Sequence, residues 1–310
     1  MFQSAKVGRG LQCQTKVQPA SHGKIVNKAN HCRQHQYHKL ARKDAVSALQ
    51  NSFAVRRNLK IRRCETAASD GAWDGSGTQE ELMYKDECVT VDQNDEILGH
   101  DSKYACHKFI PEQPEGILHR AFSVFLFNSE GKLLLQQRAW DKITFPGVWT
   151  NTCCSHQLYG YSPTEVDTQE DIAKGQSPGT VRAAIRKLGH ELGIDAAQLP
   201  AENFKFLTRL HYCAGDATDD GEPNGWGEHE LDYILFIQAN VDVEVNPEEI
   251  HDSKYVTLAE LQEMMAPESG LKWSPWFRII AEKFLAMWWE DLDSALTTDK
   301  YLDQEVHQVL

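Results

Sequence analysis

The stretch from His119 to Phe127 reads HRAFSVFLF, apolar at nearly every position, and is followed by the turn NSEG and by KLLLQQR. A strand points successive side chains to opposite faces, so a run of this kind has to be covered on both. The pattern predicts a central strand and a hairpin through residues 128–131. A second constraint lies downstream. Val181, Ile185, Leu188 and Leu192 recur at helical spacing and Gly193 follows as a stop, which predicts an amphipathic helix able to cover one face of such a sheet. CVTVD and ELDYILFIQANVDV read as further strands, LAELQEMM as a short helix, and WFRIIAEKFLAMWWEDL as a long C-terminal helix. The expected fold is a single α+β domain over residues 82–310.

Charge divides the chain. Residues 1–65 carry 14 Lys and Arg against Asp44 and Glu65, whereas the rest carries 18 basic and 43 acidic residues. The first segment is basic, rich in Ser, Thr, Gln and Asn, and lacks an apolar h-region. It reads as a transit peptide directing the chain to a plastid, the cytoplasm being the alternative. Within it, HCRQHQYH spaces His31, Cys32, His35 and His38 as metal ligands can be spaced, with no core to fix them. Residues 66–81 read as an acidic linker. The acidic body excludes non-specific nucleic-acid binding, so an anionic ligand would need a local basic pocket. No apolar run approaches the roughly 18 residues of a membrane span. Eight cysteines at irregular spacing read as reduced thiols.

Strand alternation also sorts the chemistry. An extended TNTCCSH puts Cys154 and His156 on one face and Cys153 and Ser155 on the other; the plain alternative is that both sulfurs are small buried hydrophobes. In WGEHELDYIL, Glu228 and Glu230 share a face and His229 points away. Two carboxylates there need a cation or a proton, unless they sit on a frayed, solvated strand end. With His107, His119 and His156 they offer three nitrogens and two oxygens. That set suits Mn²⁺, Mg²⁺ or Zn²⁺ in five- or six-fold coordination better than a closed thiolate site.

Taken together, LHRAFSVFLFN, QQRAWDKITFPGVWTNTCCSH, AAIRKLGHELGI, WGEHELDYIL and SPWFRII closely resemble the type I isopentenyl-diphosphate isomerase family, over about residues 82–300. The resemblance implies a Nudix-like α/β/α sandwich with a mixed central sheet, preceded by a disordered N-terminal extension. It implies that Cys154 is the catalytic thiol and Glu230 its acid–base partner, with Tyr212 beside the acid and Trp276 against the hydrocarbon. Lys103, Arg138, Lys142, Ser155 and Lys187 would bind the diphosphate. His107, His119, His156, Glu228 and Glu230 would hold one divalent cation, and Glu191 would hold Mg²⁺ on the diphosphate. The substrate class would be a small prenyl diphosphate, and the working unit a monomer or weak dimer.

RKLGHELGI, residues 186–194, resembles the second half of a Nudix box, R-E-U-x-E-E-x-G-U with U aliphatic. Lys187 and His190 stand where two glutamates are expected, so Glu191 alone remains. A Nudix diphosphohydrolase, the main alternative, uses that carboxylate cluster to hold the metals that activate water. A zinc deaminase lacks its P-C-x-x-C here. A cysteine acyltransferase would use Cys154 as an attacking thiolate, and a non-catalytic module of the same fold would use none of these groups.

Overall fold

Two apolar clusters lie on opposite sides of a ten-stranded mixed sheet, and the strand at residues 119–127 feeds both. The computed structural model describes residues 78–309, all within one compact unit, Ala68–Leu310. The expected transit segment 1–65, its His31–His38 motif and most of the linker lie outside the described residues.

The strands are β1 (Glu87–Val91), β2 (Ile97–Ser102), β3 (His119–Phe127), β4 (Leu133–Arg138), β5 (Trp149–Thr150), β6 (Cys153–Ser155), β7 (Lys205–Ala217), β8 (Pro223–Gln238), β9 (Ile250–Val256) and β10 (Val306–Gln308). Helix α1 (Gln79–Lys85) precedes them, α2 (Lys103–His107) follows β2, and α3 (Gln169–Ala173) and α4 (Pro178–Leu192) follow β6. The main path runs β10-β7-β8-β3-β1-β2, with β4 joining β3, β5 and β9, and β6 joining β3. Helix α1 straddles the expected boundary at residue 82, starting under a Thr78–Glu81 capping box.

All nine residues of β3 are buried, as their apolar run requires. Phe122, Val124 and Leu126 pack on Val181, Ala184, Leu188 and Leu192 of α4. Phe125 and Phe127 pack the other way, on Phe277, Ile280, Trp288 and Trp289. Three layers result, α on β on α. Helix α4 opens with Pro178 at its first turn and ends at Gly193, whose φ of 65° is one that glycine adopts without a Cβ penalty.

Three expectations are modified. The hairpin turn forms, with Gly131 at φ 72°, but its ladder is a single pair, Phe127↔Leu133. TNTCCSH causes this by wedging between the strands. Leu126 N–H donates to Thr152 Oγ1 at 2.9 Å, Thr152 Oγ1 donates to Leu134 O at 2.6 Å, and Asn151 Nδ2 donates to Val124 O. β6 then pairs with β3 in place of β4, Ser123 opposite Cys154. The C-terminal helix is interrupted. α5 (Leu258–Met265) matches its expected bounds, but after α6 (Pro275–Ile280) a π-turn over Ala281–Leu285 precedes α7 (Ala286–Glu290) and α8 (Leu292–Thr297). The buried positions run 276, 277, 280, then 285, 288, 289, and the step of five is what one wide turn accommodates. β8 stops at Gln238, short of the expected NVDV.

The wedge carries a prediction. Thr152→Val keeps the shape but strands a buried N–H and a buried carbonyl, so we expect a loss of about 2–4 kcal/mol in urea unfolding. A loss below about 0.5 kcal/mol would remove the hydroxyl from the account.

Candidate active site

The parallel pairing of β3 with β8 sets His119 beside Glu230. The antiparallel pairing of β7 with β8 sets Tyr212 opposite Glu230 and Ala214 opposite Glu228. β6, on the other edge of β3, supplies His156 just past its end. His107 closes the short helix α2, which Ser102 caps by accepting from Ala105 N–H at 3.2 Å. Four separate segments thus bring five side chains together. The ligand atoms of His107, His119, His156, Glu228 and Glu230 all lie within 4.8 Å of one another, and all five residues are buried.

Hydrogen bonding pre-orients this group. His107 Nδ1–H donates to Lys103 O at 2.6 Å and His119 Nδ1–H donates to Ile117 O at 2.7 Å. A carbonyl only accepts, so each Nε2 is turned inward. Burial, reinforced by the neighbouring His107, lowers His119 to about 3 and holds His156 well below its ordinary value, so both are neutral ligands at pH 7. His107 Nε2 is 2.7 Å from Glu228 Oε2, and His156 Nε2 is 2.8 Å from Glu230 Oε1. His107 Nε2, His119 Nε2 and Glu228 Oε2 are nonetheless buried without a well-formed hydrogen bond. Inward lone pairs left unsatisfied around one point are what a divalent cation requires, so the donor set fits one.

The cluster forms one wall of a narrow cleft that also exposes Cys154, Ser155, Tyr212, Trp276, Lys103, Arg138, Lys142, Lys187 and Glu191. Every expected site residue lies at this cleft or in its wall. Tyr212 donates its hydroxyl to Glu230 Oε2 in a short contact. Burial, with Glu228 and Asp232 adding, pushes Glu230 well above the ordinary carboxylate range. Burial raises the Cys154 thiol to about 12, against the opposing pull of Arg138. In the cation-free protein burial therefore favours the protonated form of both groups.

Arg138 is held by its own backbone surroundings. Its Nε donates to Phe145 O at 3.0 Å and its NH2 to Thr144 O at 2.8 Å, while NH1 faces Cys154 Sγ at 3.9 Å. Trp276 is anchored by its indole N–H on Asn151 Oδ1 at 3.2 Å. Lys187 Nζ lies 3.1 Å from Glu191 Oε1, one turn along α4, so Glu191 sits at the basic end of the cleft, apart from the five-residue cluster.

The face assignment holds for the sulfurs. Cys153 is fully buried in the α4 cluster and Cys154 packs toward the opposite one. It does not hold for Ser155, which lines the cleft with Cys154 because β6 ends there and strict alternation ends with it. His229 turns away as expected and stacks on His211. Several site residues escaped sequence reasoning. Gln79 and Met83 of α1 close over the cleft, and Thr144 donates its hydroxyl to Glu228 Oε1 at 3.0 Å. Glu249 ion-pairs with Lys142 behind the wall. The only signal for α1 was its capping box; NPEEI around Glu249 reads as an ordinary turn.

Comparison with known proteins accords with this geometry. The NUDIX domain family model matches residues 117–277. An isopentenyl-diphosphate Delta-isomerase of Camptotheca acuminata is 45% identical over 248 residues, covering 79% of this chain and 99% of that protein. One from Gibberella zeae is 49% identical, covering 73% of this chain and 84% of its own length. A chloroplastic one from Cannabis sativa is 46% identical, covering 74% and 77%. Five buried residues able to hold a cation, a thiol and a carboxyl lining one cleft, and this level of identity over most of the chain agree: it belongs to the isopentenyl-diphosphate Delta-isomerase family, built on a Nudix domain.

Proposed function

We propose that this protein interconverts isopentenyl diphosphate and dimethylallyl diphosphate, with Cys154 and Glu230 as the acid–base pair. The observation that carries the assignment is that this thiol and this carboxyl line one buried cleft together with Lys103, Arg138, Lys142 and Lys187.

The double bond of the substrate is unactivated, so moving it requires a proton delivered to the terminal carbon, a tertiary cation, and removal of a proton from the carbon nearer the diphosphate. Each event needs a group in reach. Cys154 and Glu230 fill those two roles, one delivering and the other collecting. Tyr212 holds Glu230 in place through its hydroxyl. Trp276 contributes an aromatic surface that stabilises positive charge without bonding to it, and the closed wall keeps water from quenching the cation. A divalent cation at His107, His119, His156, Glu228 and Glu230, whether Mn²⁺, Mg²⁺ or Zn²⁺, would fix Glu230 and draw off its proton, and Mg²⁺ at Glu191 would neutralise diphosphate charge. Arg138 offers a pre-set fork and the lysines point charges for the phosphate oxygens, with Ser155 beside them.

Hydrolysis is the lesser reading. Glu191 is engaged by Lys187 where a hydrolase would present several free carboxylates. The test is direct. Incubated with Mg²⁺ and isopentenyl diphosphate in D₂O, the protein yields deuterated dimethylallyl diphosphate by NMR and releases no phosphate. Phosphate without isomerised product would overturn the assignment.

We take residues 82–310 with helix α1 as the catalytic body. We take the working unit to be a monomer or weak dimer. The basic segment 1–65 and the chloroplastic relatives favour a plastid location over the cytoplasm. Among the described residues no helix is long and apolar enough to cross a membrane.

A further inference from the structure

Behind the basic end of the cleft lies a carboxylate that the roles above do not use. Glu249 is 4% exposed and sits just before β9. Its main chain is tied at both ends of the residue: the amide donates to Asn246 O and the carbonyl accepts from Ala139 N–H, each at 3.0 Å. Its side chain makes a short ion pair with Lys142, and its Oε1 lies 3.8 Å from Lys187 Nζ and 3.6 Å from His190 Nε2. Lys142 comes from the loop between β4 and β5, Lys187 from the middle of α4. One immobile anion therefore touches two cleft cations that arrive from different parts of the fold.

Those cations need it. Lys103, Arg138, Lys142 and Lys187 line the same cleft, with the side chains of Lys142 and Lys187 largely buried, and like charges repel more strongly where screening is weak. Lys187 has Glu191 as a second partner at 3.1 Å, but among the described residues Lys142 forms an ion pair with Glu249 alone. Burial pushes the Lys142 ammonium toward losing its proton; Glu249 opposes this, while Arg138, Lys187 and Lys103 add to it. Glu249 is not itself in the cleft lining, so it acts through the lysines.

We propose that Glu249 is a positioning residue for diphosphate recognition, its carboxylate clamping Lys142 and Lys187 side by side in the cleft wall. The inference rests on reading that end of the cleft as the diphosphate site. It separates binding from chemistry, because the clamp touches neither Cys154 nor Glu230.

The test uses the full chain with Mg²⁺. Kinetics with isopentenyl diphosphate are measured alongside calorimetric binding of inorganic pyrophosphate. Loss of one lysine contact to a charged oxygen corresponds to about a tenfold to hundredfold weakening. Glu249→Gln is expected to raise both KM and the pyrophosphate Kd by at least about tenfold while kcat stays within about threefold, and Glu249→Asp, which keeps the charge, recovers most of the loss. A folded Glu249→Gln with lower thermal stability but unchanged KM and Kd would reduce Glu249 to a structural role. A fall in KM and Kd would make it a competitor of the diphosphate, which also overturns the clamp. If the glutamine variant does not fold, Glu249→Ala carries the same test, with KM and Kd raised by at least about tenfold expected and no rise overturning the proposal. An inactive wild type would defeat the functional reading; an active wild type with unmoved variants would defeat this one.

Discussion

Cys154→Ser lowers kcat by about 10²- to 10⁴-fold, the range that positioned proton transfer contributes, while the protein keeps its fold; Cys153→Ala stays within about threefold of wild type. The two thiols are adjacent in sequence and opposite in environment. Cys153 is fully buried against α4, with Phe122 and Leu188 in the same cluster, so its loss costs about 1 kcal/mol of packing and leaves the cleft intact. Cys154 shares the cleft with Glu230 and faces Arg138 NH1 at 3.9 Å. A thiol held up to about 12 by burial is a poor nucleophile but a retained proton source, which separates this site from a cysteine acyltransferase. Glu230→Gln removes the other half of the pair and is expected to match Cys154→Ser, with the additional loss of a cation ligand. Steady-state rates and circular dichroism decide the matter. Equal damage from Cys153→Ala and Cys154→Ser would sink the assignment of roles to the two faces.

Stripping divalent cations with a chelator abolishes turnover, and re-adding Mn²⁺, Mg²⁺ or Zn²⁺ restores it to degrees that rank the metals. His119→Ala, which removes the ligand beside Glu230, is expected to weaken cation affinity by at least about 100-fold. The proton count follows from the site. Burial holds His119 at about 3 and His156 well below its ordinary value, so neither releases a proton on binding at pH 7. Glu230, raised well above the ordinary carboxylate range chiefly by burial and then by Glu228 and Asp232, is the ligand whose proton a cation displaces. A cation therefore competes with the proton that burial favours on Glu230, so binding releases protons and affinity rises with pH until Glu230 is ionised in the cation-free protein. Calorimetry in two buffers of different ionisation enthalpy measures this. Zero net release at pH 7 would mean that Glu230 enters the site already ionised.

Much of the fold was legible because its elements are periodic. Helix α4 has a repeating apolar stripe, a proline at its start and a glycine at its end, and each signal is local. β3 was legible for the opposite reason: nine residues with no polar face admit one kind of environment. The wedge between β3 and β4 was not legible, because it depends on the Thr152 hydroxyl meeting an amide 26 residues and a carbonyl 18 residues away. The π-turn lay hidden in a step of five between buried positions, which a fixed helical period overlooks.

For the site, residue types and strand parity were enough to pair Glu228 with Glu230, set His229 apart and separate the two cysteines, since a pleated backbone leaves a side chain one of two faces. Whether those faces meet is a different matter. The parallel register that brings His119 to Glu230, the inward turn of three imidazoles, the protons kept on Cys154 and Glu230, and the anion at Glu249 all depend on burial and on contacts between distant segments. Chain periodicity is a property of neighbours along the backbone; dielectric and charge pairing belong to the folded interior, so they exist once the layers have closed.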